Sequence, residues 1–105
     1  MRLLVINPNS TASMTEKIGA AARAAASPGT EIVAVNPPAG PVSIEGYYDE
    51  AMSVPGLLKV IQTVTAADAI VIACFDDTGL DAARCLTDRP VVGIGEAAYH
   101  FAAMV

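Results

Sequence analysis

Positive charge is what this chain has least of. Its 105 residues carry 6 Lys and Arg against 11 Asp and Glu, a net charge of −5. Nucleic acids and anionic membrane surfaces are held by basic patches, so neither partner is expected. Long apolar runs are also missing: none approaches the roughly 18 residues needed to span a bilayer. The first apolar run, which begins at Met1, meets Asn7-Pro8-Asn9 too early for a secretory signal, and a cytoplasmic location is expected. Cysteine occurs twice, at Cys74 and Cys85, without zinc-type spacing. That pattern points to free thiols rather than a disulfide framework, and no metal site is expected. Aromatic residues make up only 5% of the chain. The single histidine, His100, follows Glu96 by one helical turn and reads as a surface or partly buried residue rather than a base.

Apolar residues, many of them alanine, make up 53% of the sequence, enough for one small domain with a modest core of closely packed helices on a sheet. Arg2–Ile6 reads as a first strand. Asn7-Pro8-Asn9-Ser10-Thr11 is a turn cluster, and Ser13-Met14-Thr15-Glu16 fits a capping box opening a helix that runs to about Ser27. Thr30–Val35 is a second strand, followed by a stiff loop through Asn36-Pro37-Pro38-Ala39-Gly40-Pro41. Tyr47–Met52 reads as one helix, with Pro55 opening another that runs to about Ala66. Tyr47, Tyr48, Asp49 and Glu50 fit either a pocket lid or a solvated helix face. The run Ala69–Ala73 is continuously apolar, as befits a strand buried on both faces of a parallel sheet. A short helix follows from about Leu80 to Leu86, then a strand at Pro90–Ile94 and a helix from Gly95. Alternating strands and helices predict an α/β domain with a flavodoxin-like open parallel sheet of about four strands in the order 2-1-3-4.

In that topology the turns after strands one and three meet at the switch point, where open α/β sheets keep their ligands. Cys74 stands at the end of the third strand. Free amides ahead of a helix favour its thiolate, whereas Asp76 and Asp77 oppose it if their carboxylates turn inward. Cys74 is therefore either a reactive thiol or an inert one packed in an apolar strand. Cys85 reads as a packing residue. The Asn7–Thr11 turn offers amide, hydroxyl and backbone donors, and reads as an oxyanion-binding turn or an ordinary capped one. Gly93-Ile94-Gly95-Glu96-Ala97-Ala98 formally matches G-x-G-x-x-A, but it follows the fourth strand rather than opening the fold, so a dinucleotide site is not expected.

Four blocks of the chain together resemble the hydantoin racemase branch of the aspartate/glutamate racemase superfamily. They are Val5-Ile6-Asn7-Pro8-Asn9-Ser10, Gly40-Pro41-Val42-Ser43-Ile44-Glu45-Gly46, the stretch from Ala73 to Arg84, and the stretch from Pro90 to Ala98. The resemblance covers essentially the whole chain in family order. It implies a cofactor-independent racemase of two similar lobes, each supplying one cysteine to a site between them. One thiolate removes a proton from the stereogenic carbon while the opposite thiol returns one. On this resemblance Cys74 is the first lobe's catalytic cysteine. Asn9 and Ser10 bind the polar edge of a small-molecule substrate, Phe75 and Asp76 supply loop amides, and Ile44 forms a pocket wall. Residues 1–105 then correspond to a single N-terminal lobe, with the second lobe and its cysteine absent. Such a lobe is expected to be weakly active or inactive alone and to self-associate through its exposed interface, including as a homodimer that pairs two copies of Cys74. Thr78 stands where the family usually has proline, a change expected to loosen the turn. The alternatives are a related racemase or decarboxylase acting on allantoin or an arylmalonate-type acid, and a non-catalytic binding domain.

Overall fold

In the computed structural model, which describes residues 1–105, four strands and four helices alternate. They are β1 (Arg2–Ile6), α1 (Ala12–Ala25), β2 (Glu31–Val35), α2 (Tyr47–Thr63), β3 (Ala69–Ile72), α3 (Leu80–Leu86), β4 (Val91–Gly93) and α4 (Ile94–Ala103). The strands pair in parallel in the order β2-β1-β3-β4, which is the expected 2-1-3-4 arrangement.

Alternate side chains along each strand divide the sheet into two faces. Leu4, Ile6, Ile70, Ile72 and Val91 point one way and pack with Leu57, Val60 and Ile61 of α2 and Leu80 and Ala83 of α3. Leu4, Ile6, Leu57, Ile70 and Ile72 are fully buried. Each such side chain contributes about 1.5–3 kcal/mol relative to exposure, so this face carries most of the stability. The other face is thinly covered. Leu3, Val5 and Val71 meet Ile18, Ala21, Ala22 and Ala25 of α1 across an apolar cleft of about 540 Å³. No helix is long and apolar enough to cross a membrane.

Two expectations about the helices are corrected. The Ser13–Glu16 capping box does not form: α1 begins at Ala12 with Thr11 as its N-cap and no side-chain cap. Asn9 has already taken that place, its Oδ1 accepting the Thr11 amide at 2.9 Å. The break at Pro55 is absent as well, and α2 runs through it. Proline removes one helical N–H, that which would reach the Ala51 carbonyl. Ala51 and Pro55 are both exposed, so solvent can serve that carbonyl. A third correction concerns Cys85, which is exposed rather than packed. The seven-residue α3 buries only Leu80 and Ala83, one turn apart, and Cys85 lies off that stripe.

Helix α2 has no basic residue in its last turn, and Arg89 supplies one from the α3–β4 connection. Its guanidinium donates to the carbonyls of Val64 and Ile61, both at 2.8 Å, and to Thr87 Oγ1 at 3.1 Å. A cation hydrogen-bonded to the last carbonyls stabilises a helix C-terminus. Arg89→Gln should cost about 1–2 kcal/mol. In urea titration this reads as a lowered midpoint with an unchanged slope.

Candidate active site

The register of the central strands sets what meets at the sheet edge. Ile6 of β1 lies opposite Ile72 of β3, and the Ala73 amide donates to the Ile6 carbonyl at 2.8 Å. Neighbouring strands are about 4.8 Å apart, so the loops leaving Ile6 and Ile72 start side by side at the carboxyl edge. One crosses to α1 beneath β2 and the other to α3 beside β4, which makes this the topological switch point. Cys74, Asn9 and Ser10 therefore share one edge.

The β1–α1 loop holds itself together. Asn7 and Asn9 are buried, and Asn7 Nδ2 donates to Asn9 Oδ1 at 2.7 Å and to Thr15 Oγ1 at 3.1 Å. Thr15 Oγ1 donates on to Asn36 Oδ1 at 2.7 Å, tying α1 to the end of β2. The amides of Asn9, Ser10 and Thr11 are all engaged, by Asn7 Oδ1, the Pro41 carbonyl and Asn9 Oδ1. Ser10 also turns its hydroxyl into the Gly40 carbonyl at 3.0 Å, strapping the β2–α2 loop down. The donor left over is the carboxamide of Asn9, whose Nδ2 meets only the thioether of the half-exposed Met14, at 3.2 Å.

The β3–α3 loop is built the other way. Cys74 is half-buried at the start of a tight turn closed by the Asp77 amide on the Cys74 carbonyl, 2.9 Å. The amides of Cys74, Phe75 and Asp76 donate to no acceptor within the chain. Free backbone donors beside a thiol are groups of the kind that stabilise a developing oxyanion. Phe75 itself is 67% exposed, so its contribution here is backbone. Thr78 is fully buried. Its Oγ1 lies 3.5 Å from Cys74 Sγ and donates to Asp76 Oδ2 at 2.9 Å. Far from loosening the turn, Thr78 ties its two ends together, because its hydroxyl supplies a bridge that a proline ring lacks.

Asp77 fixes this loop against the rest of the molecule. Its backbone is left-handed, with φ 51°, a conformation that aspartate tolerates better than most residues. The turn aims its carboxylate at the start of α4, where Oδ1 accepts the Gly95 amide and Oδ2 the Glu96 amide, both at 2.8 Å. The approach is so close that a Cβ on Gly95 would stand 2.5 Å from the Phe75 carbonyl oxygen. Gly93-x-Gly95 is thus a landing place for Asp77 rather than a phosphate loop. Neither Asp77 nor Thr78 stood among the expected site residues; the sequence signal was the pairing of Asp-Asp-Thr-Gly with Gly-x-Gly.

Ile44 and Asp76 line one depression of about 290 Å³ with Glu45, Gly46, Tyr47 and Glu50. Of the aromatic and acidic residues opening α2, Tyr47 and Glu50 border this hollow, while both Tyr47 and Tyr48 are largely exposed to solvent. Cys74 does not line the hollow and reaches it through Thr78 and Asp76. No lysine or arginine lines it. Arg84 is engaged elsewhere, donating to the Val91 carbonyl at 2.8 Å and pairing with Glu96. Those hydrogen bonds from Arg84 hold the Glu96 carboxyl below its usual range. His100 is exposed, and no three His, Cys, Asp or Glu side chains are grouped to hold a metal ion.

Comparison with known proteins places this geometry in context. The family model for Asp/Glu/Hydantoin racemase matches residues 3–105. The hydantoin racemase of Pseudomonas sp. (strain NS671) is 51% identical over 107 residues, covering 100% of this chain and 43% of that protein. The hydantoin racemase of Paenarthrobacter aurescens is 49% identical over 108 residues, covering 100% and 46%. Among solved structures, the allantoin racemase from Klebsiella pneumoniae superimposes with a TM-score of 0.96 at 56% identity, over 100% of this chain and 44% of that one. The allantoin racemase AllR from Pseudomonas fluorescens gives 0.95 at 39% identity, over 100% and 45%. The chain spans less than half the length of these relatives.

Two outcomes check the clamp and its neighbour. Asp77→Ala should cost about 2–3 kcal/mol, through two charge-assisted bonds lost at a helix start. Gly95→Ala should cost about 1–3 kcal/mol by overpacking, and the double variant should lose less than the sum, since Asp77→Ala removes the carboxylate that the new Cβ would crowd. For Glu96 the depressed carboxyl contributes stability that is complete above the ordinary carboxylate range and lost as pH falls through its lowered folded value. Urea midpoints measured downward from neutral pH should show less of this acid loss in Arg84→Met.

Proposed function

The chain belongs to the Asp/Glu/hydantoin racemase family, and on that premise we propose that it forms the Cys74-bearing half of a racemase acting on 5-substituted hydantoins. The observation that carries this reading is the row of three unpartnered amides at Cys74, Phe75 and Asp76, beside a half-buried thiol at the switch point. The C5–H of a hydantoin is acidified by the adjacent ring carbonyl, and its removal leaves an enolate. A thiolate is a base that needs no metal or organic cofactor for this step, and preorganised amides stabilise the oxygen on which charge develops.

On this reading Cys74 transfers a proton on one face of the ring. The Phe75 and Asp76 amides hold the enolate oxygen, and Asn9 Nδ2 leaves the Met14 thioether to donate to a ring carbonyl. Ser10 acts at one remove, by holding the Gly40–Pro41 strap. Ile44 forms a wall of the hollow that receives the 5-substituent. The opposite face needs a second acid–base group, which the reading assigns to the remaining length seen in the relatives, or to a second copy of this chain.

The lining of that hollow favours one member of the substrate class. Glu45, Glu50 and Asp76 line the hollow with Ile44, and their carboxylates offer acceptors to a substituent that donates hydrogen bonds. Allantoin is a hydantoin whose substituent is a ureido group, rich in N–H donors. Its fit is supported by the acceptor-lined hollow and by the 56% identity to an allantoin racemase.

The test is exchange at C5 in heavy water, followed by NMR for each enantiomer of allantoin and of a 5-alkyl hydantoin. With one base on one face, this chain should exchange one enantiomer with its configuration retained. The Cys74→Ala variant should lose at least about 10²-fold of that rate. Exchange with inversion would indicate a site completed by a second copy. Rates indistinguishable from Cys74→Ala would reject the catalytic reading for this chain and leave a binding domain.

A further inference from the structure

A carboxamide accepts through its oxygen and donates through its nitrogen. In Asn9 the oxygen is pinned, because Oδ1 accepts the Thr11 amide at 2.9 Å and Asn7 Nδ2 at 2.7 Å. A backbone N–H only donates, so the Thr11 contact also fixes which end of the carboxamide is oxygen. Nδ2 is therefore aimed the other way and is not free to turn. Asn9 is only 6% exposed, and the acceptor that Nδ2 meets is Met14 Sδ, at 3.2 Å. A thioether is a weak acceptor. A rigidly held, buried donor has thus been given a soft partner.

That partner is also the movable one. Met14 stands in the first turn of α1 and is 45% exposed, on an unbranched side chain with three rotatable bonds. Its sulfur makes no hydrogen bond except that with Asn9, whereas Asn9 is tied to Asn7, Thr11 and, through Asn7, to Thr15. A carbonyl arriving at Nδ2 therefore changes the partner by moving Met14 into solvent, while Asn9 stays where its oxygen holds it. The contact spares Asn9 a bare buried donor when no ligand is bound, and gives way cheaply when one arrives. Met1, Met52 and Met104 are exposed too, but none of their sulfurs accepts a hydrogen bond.

We propose that Met14 is a positioning residue and a redox-sensitive gate at the Asn9 donor: its thioether keeps the place of a substrate carbonyl and yields to one, whereas its sulfoxide does not yield. This rests on the racemase reading above, in which Asn9 donates to a ring carbonyl. The oxidant is a peroxide. A sulfur lone pair attacks one peroxide oxygen, the O–O bond breaks, an S–O bond forms and, from hydrogen peroxide, water leaves; sulfur is oxidised and the peroxide reduced. The modification turns an apolar side chain polar and gives it a strong acceptor. Met14 then backs off along its flexible stem until oxygen rather than sulfur faces Nδ2, at about 2.9 Å. A ring carbonyl now competes with an acceptor as good as itself, already tethered beside the donor.

The Asn9 carboxamide can be watched directly. Asn7, Asn9, Asn36 and Gln62 are the only side-chain amides of the chain, so a nitrogen-15 spectrum holds four such signals. Unsubstituted hydantoin is titrated into the untreated chain, Met14→Leu, and the chain treated with hydrogen peroxide and then dithiothreitol. The thiol reagent returns reversibly oxidised Cys74 and Cys85 to thiols and leaves methionine sulfoxide in place. Met14→Leu given the same treatment carries the sulfoxides of the other three methionines and is the control. The Asn9 signal should shift in Met14→Leu and in the oxidised chain before any hydantoin is added. Met14→Leu should bind hydantoin at least about twofold more tightly, and the oxidised chain at least about fivefold more weakly. Treated and untreated Met14→Leu should bind alike. An Asn9 signal unmoved by both changes would overturn the proposal, whatever hydantoin does. So would equal affinities in all forms, or a peroxide effect as large in Met14→Leu, and either result leaves the racemase reading standing. Hydantoin binding to no form would instead reject that reading at this site, and the gate with it.

Discussion

The Asp77 carboxylate, seated on the Gly95 and Glu96 amides in the first turn of α4, is the constraint from which the functional edge follows. It uses both oxygens on one helix start, and this fixes where the β3–α3 loop can go. The left-handed turn at Asp77, the bare Gly93 and Gly95 and the closeness of the Phe75 carbonyl are geometric consequences of that seating. With Asp77 facing α4, the backbone before it is held open, and the amides of residues 74–76 are left pointing at no internal acceptor. A helix start that would otherwise present an anion site has been closed, and three donors have been opened beside a thiol instead. The two asparates of the Asp-Asp pair thus do opposite jobs: Asp77 builds the loop and Asp76 faces the hollow.

The neighbouring β1–α1 loop obeys a different economy of hydrogen bonds. Asn7, Asn9, Thr15 and Asn36 satisfy one another in a buried chain, and the Ser10 strap holds the proline-rich loop against it. A network of that kind rigidifies because removing any member leaves a buried polar partner unmet. Its rigidity gives the free end of Asn9 a fixed direction. One loop therefore supplies a single oriented donor and the other a row of amides with a thiol, and parallel pairing of β1 with β3 puts them side by side.

Much of this was legible in the residues. Continuous apolar runs at Leu3–Ile6 and Ala69–Ile72 specify strands of a parallel sheet with right-handed crossovers, although burial on both faces is not met, since Leu3, Ala69 and Val71 are only half-buried. Position at the end of a central strand singled out Cys74, and the Asn-Pro-Asn-Ser turn singled out Asn9. What stayed hidden was whatever depended on a partner distant in sequence. The capping box at Ser13 was locally sound but lost to Asn9. Pro55 reads as a breaker unless one knows that Ala51 faces water. Cys85 looks like core because it sits between apolar neighbours, and only the short burial stripe of α3 turns it outward. The Gly-x-Gly step resembled a phosphate loop because close approach of any backbone demands the same glycines, whichever group is approaching. The tie from the Ser10 hydroxyl to Gly40, thirty residues away, is one that no local pattern reveals.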